Sequence, residues 1–213
     1  MTLIYLKVDL VKENKLVLDK SITEPTSLFK YVKSKEEKSF IELHQEFRKK
    51  HGIDSNTKSY IHVIMLRHFA WLPWRDHAKE VDTKANQLAN LKCQSLLVCF
   101  GSHEGATSWL SETGIKLGMI TDEARVLYKF FNLKSSYYAV WKSATLVYYA
   151  EQRTAKRILP KSEEKDDPHQ LGGDFLLEAQ LNSAEFKILL SHASKTPPDR
   201  VKPTDLINFL KTC

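Results

Sequence analysis

The residues best equipped for chemistry lie in one stretch, Arg67-His68-Phe69-Ala70-Trp71-Leu72-Pro73-Trp74-Arg75-Asp76-His77. Guanidinium groups there can hold an anion, an imidazole can move a proton, and indole faces can bind apolar or cationic groups. A second cluster, His169-Gln170-Leu171-Gly172-Gly173, pairs polar side chains with a turn that permits close backbone approach. Trp141 lies on an aromatic stripe with Tyr137 and Tyr148. The candidates for catalysis are therefore His68, Arg75 and His169. The candidates for ligand binding are Arg67, Trp71, Trp74, Gln170, Gly172 and Trp141. Arg67 and Arg75 either bind an anionic group or pair with Asp76 or Asp174. His77 and Glu80 share a helix face without a third ligand, so no metal site is expected.

Cys93, Cys99 and Cys213 are odd in number and widely spaced, which fits neither a disulfide framework nor a zinc site. Cys99 reads as a buried strand residue. Cys213 is terminal and has no positioned acid or base.

The elements that must position these residues can be read from periodicity. Tyr60–Leu66 and 95–100 are near-continuous apolar runs and predict buried strands. Trp71, Trp74, Ala78, Val81, Ala85 and Leu88 recur at steps of three and four, predicting an amphipathic helix that starts where the first strand ends. On that helix Trp74 falls on the core stripe, whereas Trp71 precedes the first turn and is a candidate to face a ligand or partner. Residues 35–50, 104–113, 124–131 and 137–150 predict further helices, with a last one opened by Pro203. Lys116–Ile120 predicts a short strand. Residues 2–10, 15–18, 174–177 and 186–190 predict two hairpins, and 151–170 an exposed loop. Strands alternating with helices imply an α/β layer architecture with parallel pairing.

The 213 residues are 42% hydrophobic and 27% charged, with a formal charge of +6. That composition fits a globular protein with one sizeable core. The lysines are interleaved with acids, as in Lys33-Ser34-Lys35-Glu36-Glu37-Lys38, which predicts a solvated surface and no nucleic-acid partner. No signal-peptide pattern or membrane-span-length apolar run is present, so a cytoplasmic location is expected.

Four stretches, taken in order, resemble the peroxiredoxin-like branch of the thioredoxin superfamily, the AhpC/TSA-type antioxidant proteins. They are Ile64-Met65-Leu66-Arg67-His68-Phe69 running into Arg75-Asp76-His77, Thr121–Lys129 with Phe131-Asn132-Leu133, Asp167–Phe175 with its Gln-Leu-Gly-Gly turn, and Asp199-Arg200 ahead of the last helix. The resemblance implies a thioredoxin-like α/β fold over residues 59–213: a central mixed sheet with helices on both faces. Residues 1–58 would be an N-terminal extension, a hairpin plus a helix. Members of that family place Cys-x-x-Cys where this chain has Trp71 and Trp74. Their chemistry needs a thiolate whose pKa is lowered at a helix N-terminus, and indole offers no equivalent. The expectation is thus a protein that has lost thiol redox catalysis, its former cleft remodelled to bind an apolar ligand or protein partner without a cofactor. Two alternatives stay open: a cofactor-independent enzyme acting on a hydrophobic small molecule, and residual antioxidant activity through Cys93 or Cys213. A homodimer is among the assemblies open to the chain.

Overall fold

The computed structural model describes residues 29–34, 36–140, 143–156, 167–179, 186–196 and 198–213. The strands expected at 2–10 and 15–18, and Trp141, lie outside these residues. The described elements, in chain order, are β1 (Phe29–Tyr31), β2 (Glu37–Lys38), α1 (Phe40–Lys50), β3 (Ser59–Met65), α2 (Leu72–Thr83), α3 (Ala85–Asn90), β4 (Cys93–Cys99), α4 (His103–Thr113), β5 (Gly118–Thr121), α5 (Val126–Phe130), α6 (Tyr137–Val140), α7 (Ser143–Thr154), β6 (Gly173–Ala179), β7 (Phe186–Ala193) and α8 (Pro203–Leu210).

Seven strands form one mixed sheet in the order β2-β1-β5-β4-β3-β6-β7. The central β3, β4 and β5 run parallel, as their unbroken apolar character requires. β6 is antiparallel to β3, β7 to β6, and β1 to β5. Every residue of β3 is buried, and side-chain alternation splits the core in two. Ile64, Leu97 and Cys99 face a layer containing Trp74, Val81, Leu88, Trp109 and Leu206. Ile61, Val63, Val98 and Phe175 face a layer containing Leu43, Leu127 and Tyr128. Helices therefore cover both faces, as expected. Among the described residues no helix is long and apolar enough to cross a membrane.

The ends of the elements follow local chemistry. α1 begins at a capping box in which Ser39 and Glu42 satisfy each other's backbone N–H groups, and it ends in Arg48, Lys49 and Lys50. The helix expected from Ala124 starts only at Val126, because Arg125 adopts a left-handed conformation (φ 57°). The Asp122 carboxylate accepts from the Val126 and Leu127 N–H groups and fixes that start. The strand expected at 116–120 is displaced to Gly118–Thr121. The helix expected at 137–150 is described in two pieces and runs on to Thr154, so the start of the expected loop is helical.

Candidate functional site

The candidate site is built on the junction between β3 and α2, at the carboxyl end of a parallel strand where α/β sheets commonly bind ligands. β3 stays in the sheet through Leu66, whose N–H donates to Val98 O at 2.8 Å. The chain then turns, and Trp71 becomes the N-cap of α2, with Pro73 in the first turn. Pro73 suits this place because an N–H there has no helical partner.

Arg67 points inward and is 1% exposed. Its Nε donates to Gln170 O at 2.7 Å and its Nη2 to Pro168 O. Its guanidinium lies 4.0 Å above the Trp71 ring. Burial pushes Arg67 down to about 10, so it remains a cation at neutral pH. Among the described residues no carboxylate stands within ion-pair distance of it, and its Nη1 has no hydrogen-bond partner. His68 meets Trp71 edge-on at 5.3 Å. Burial, aided by the Arg67 charge, pushes His68 down to about 3, which keeps it neutral.

Trp71 is only 8% exposed. The expectation of an outward-facing indole is corrected here: Tyr149 of α7 packs on it edge-on at 5.4 Å. α7 is held in place by Tyr148, whose hydroxyl donates to Asp76 at 2.8 Å. Among the described residues the buried indole Nε1 of Trp71 has no hydrogen-bond partner. On α6 and α7, Tyr137, Tyr138, Leu146 and Val147 are exposed large hydrophobics, Tyr138 at 85%.

Trp74 lies in the core, as its helical position predicts, and is 1% exposed. It carries the Arg200 guanidinium 3.2 Å above its ring centroid. Arg200 donates to Asp174 Oδ1 at 2.7 Å. The same oxygen lies 3.0 Å from His77 Nε2 and 3.3 Å from His62 Nε2, and Val201 N–H donates to Oδ2. Burial opposes charge on Asp174, yet Arg200 and His77 hold it well below the usual carboxylate range. Burial pushes His77 down to about 4, with Arg200 adding to the effect.

The remaining candidates are distributed around these two stacks. Gly172 lies against Trp74. A Cβ there would stand 2.1 Å from Met65 O and 2.3 Å from the Trp74 ring, so only glycine lets the strand and the indole meet. The Gln170 side chain is turned away from a ligand role: it donates to Leu133 O and Leu171 O and accepts from Arg125. Arg75 pairs with Glu112 at 3.0 Å and donates to Phe69 O, not to Asp76 or Asp174, because those carboxylates are taken by Tyr148 and Arg200. His169 is partly exposed beside Tyr137 and 3.7 Å from Asp167. Arg67, His68 and Trp71 are thus brought together, whereas Arg75 and His169 have partners on the flanks. Residue types alone did not single out Tyr149 as the cover of Trp71. The cue was the surplus of aromatics along 137–149.

Cys93 and Cys99 are buried at the two ends of β4, neither at the N-terminus of a helix in sequence, and burial pushes the Cys93 thiol up. Cys213 is exposed at the terminus, where partial burial and Glu178 raise its thiol. Among the described residues no cluster of three or more metal-binding side chains occurs.

The sequence matches no protein-family profile and no curated protein. Solved structures do match. A PrxQ mutant from Xylella fastidiosa superposes with a TM-score of 0.57 at 12% identity, covering 93% of this chain and 94% of that one. Peroxidoxin BcpB from Mycobacterium tuberculosis matches with a TM-score of 0.56 at 8% identity, covering 87% and 91%. A peroxiredoxin 6 mutant from Arenicola marina matches with a TM-score of 0.55 at 8% identity, covering 88% and 69%. The chain therefore has a thioredoxin-like α/β fold. Within that class its arrangement is the one found in peroxiredoxins.

Proposed function

We propose that this chain is a peroxiredoxin-fold protein that does no thiol chemistry, and that its β3–α2 junction binds an apolar molecule bearing one oxygen acceptor. Trp71 and Trp74 stand where the resemblance puts the redox cysteines. The three cysteines lie elsewhere, each with a thiol that is buried or has no positioned base. The observation that carries the ligand reading is a pair of donors, Arg67 Nη1 and Trp71 Nε1, unsatisfied among the described residues and belonging to a buried cation without an ion-paired carboxylate. Arg200 Nε, Arg200 Nη1 and Trp74 Nε1 are also unpaired, but their cation is bonded to Asp174. A buried unpaired donor costs about 1–3 kcal/mol, and an acceptor from a ligand would remove that cost. The ring of Tyr149 and the exposed Tyr137, Tyr138, Leu146 and Val147 supply an apolar approach, which would equally seat a protein partner or a second copy. No cofactor is needed for such a role. Three cysteines outside any disulfide agree with a reducing compartment such as the cytoplasm. We take residues 59–213 as the thioredoxin-like domain and 1–58 as its extension.

Two measurements test this reading. In a thiol-coupled assay with hydrogen peroxide and cumene hydroperoxide, no turnover above the buffer rate is expected; rates typical of a cysteine-bearing peroxiredoxin would overturn the first half. Titration with decanoic acid, read by intrinsic tryptophan fluorescence, should give a saturable change that Trp71→Ala abolishes. An identical response in that variant would overturn the second half.

A further inference from the structure

The opposite end of the sheet carries a second site, unrelated to the junction. β5 joins β4 only at Leu96↔Gly118, so Cys93, Gln94 and Ser95 extend past the end of β5. α1 covers one side of this protruding strand end and α3 the other. Between them is a cleft of about 430 Å³, within the usual range of small-molecule sites. Its apolar lining includes Leu43, Phe47, Ala85, Ala89 and Leu117.

Two features of the cleft call for a ligand. Ser95 lines it, is 9% exposed, and its buried hydroxyl has no hydrogen-bond partner among the described residues. A buried hydroxyl left unpaired is costly, so its place in a lined cavity points to a missing polar partner. The second feature is charge. Lys33, Lys50 and Lys116 line the cleft against Glu46 and Asp82. Glu46 is already paired with Lys38 at 2.6 Å, and Asp82 accepts from the Lys116 backbone N–H. Lys33 donates to Lys116 O, and among the described residues the exposed ammonium groups of Lys50 and Lys116 have no carboxylate within ion-pair distance at the rim.

The geometry points to a binding site for a small organic anion: an aromatic or aliphatic body lies on Phe47, Ala85 and Ala89, its anionic group meets Lys50 and Lys116, and a polar atom reaches the Ser95 hydroxyl. This site is independent of the β3–α2 junction and would stand if the function proposed there failed.

The probe is 8-anilinonaphthalene-1-sulfonate, an aromatic sulfonate, titrated into the isotopically labelled full chain and followed by backbone amide shifts. Saturable one-to-one shifts are expected at Ala89, Gln94, Ser95 and Lys116. The double charge reversal Lys50→Glu with Lys116→Glu, both on the surface, should weaken binding about tenfold or more, as lost and inverted attraction at partly screened sites requires. Ala89→Trp should fill the cleft and abolish the shifts while the remaining spectrum stays folded. N-phenyl-1-naphthylamine, which lacks the sulfonate, should bind this site at least about tenfold more weakly, since one lost charged contact is worth roughly that factor. Shifts centred on residues 67–75, shifts scattered over the surface, or affinity unchanged by the charge reversal would each overturn the proposal.

Discussion

Among the described residues, arginine stacks on Trp71 and on Trp74, one turn of α2 apart, and these two stacks are compensated differently. Arg200 on Trp74 faces a buried carboxylate, Asp174, flanked by His77 and His62. Arg67 on Trp71 faces only backbone carbonyls. A buried cation with a bonded carboxylate is a structural pair, stable as long as both partners are present. Among the described residues both stacks leave donors unpaired, Arg67 Nη1 and Trp71 Nε1 in one and Arg200 Nε, Arg200 Nη1 and Trp74 Nε1 in the other. What separates them is the counter-charge: the Arg67 cation is held by dipoles alone. Under the proposed function, that difference makes the Arg200 stack architecture and leaves the Arg67 stack to meet a ligand.

The largest effect that would break this comparison is removal of the deeper pair's anion. Asp174→Asn leaves Arg200 buried without a counter-charge and should cost about 3–5 kcal/mol. Arg200→Met should fall in the same range, because Asp174 then keeps His62, His77 and the Val201 N–H but no permanent counter-charge. Urea denaturation reads both. A loss below about 1 kcal/mol would place this stack in the same class as the other.

Acid tests both stacks at once. His68 is pushed down to about 3 and His77 to about 4, against an unfolded value near 6.5. Below pH 6.5 the unfolded chain therefore binds more protons than the folded one, and stability falls as pH falls toward those values. At pH 5 each histidine should have cost about 2 kcal/mol relative to neutral pH. His44, pushed down to about 4 by burial, adds a loss of the same sign. Asp174, held below its unfolded value, adds its own loss only below about pH 4. Stability measured from pH 7 to 4.5 should fall throughout, and His77→Phe should flatten the slope by about one proton. A slope unchanged by that variant would mean His77 is already charged beside Asp174.

The frame around the stacks was legible in the sequence because strong local signals agreed with the tertiary outcome. The apolar runs of β3 and β4 have no other stable place than the centre of a parallel sheet. Trp74 was legible as core because it shares a helical stripe with Ala78 and Val81. Trp71 was not, since its burial depends on Tyr149, many residues away and on a helix whose docking is set by the Tyr148–Asp76 bond. Gln170 was misjudged for a similar reason: its amide is consumed by Leu133 and Leu171 carbonyls that only the folded loop brings near. Periodicity reports which face of an element is apolar, but not which distant side chain covers it. Arg67 and Arg75 look alike in sequence, and only the positions of α4 and the Pro168–Gln170 segment give them opposite fates.

Smaller effects sharpen the comparison from the other side. Arg67→Met replaces an uncompensated buried cation with an apolar side chain of similar length. It should change stability by no more than about 1 kcal/mol, with a gain as acceptable as a loss, because buried charges are often replaced neutrally by packed hydrophobes. Binding of decanoic acid should disappear in the same variant. A destabilisation above about 3 kcal/mol would mean Arg67 is as structural as Arg200.

The smallest expected change comes from Trp71→Phe. It removes the unpaired indole N–H, which relieves about 1–3 kcal/mol of desolvation cost, and it also removes part of a buried ring, which costs a comparable amount. Stability should therefore move by less than about 1 kcal/mol. The aromatic face under Arg67 and against Tyr149 is retained, so the architecture of the junction stays. If Nε1 donates to the ligand, decanoic acid should bind about tenfold more weakly, the worth of one hydrogen bond. Unchanged affinity would take Trp71 Nε1 out of the site and leave Arg67 as the sole donor, which makes the loss of binding in Arg67→Met the deciding observation.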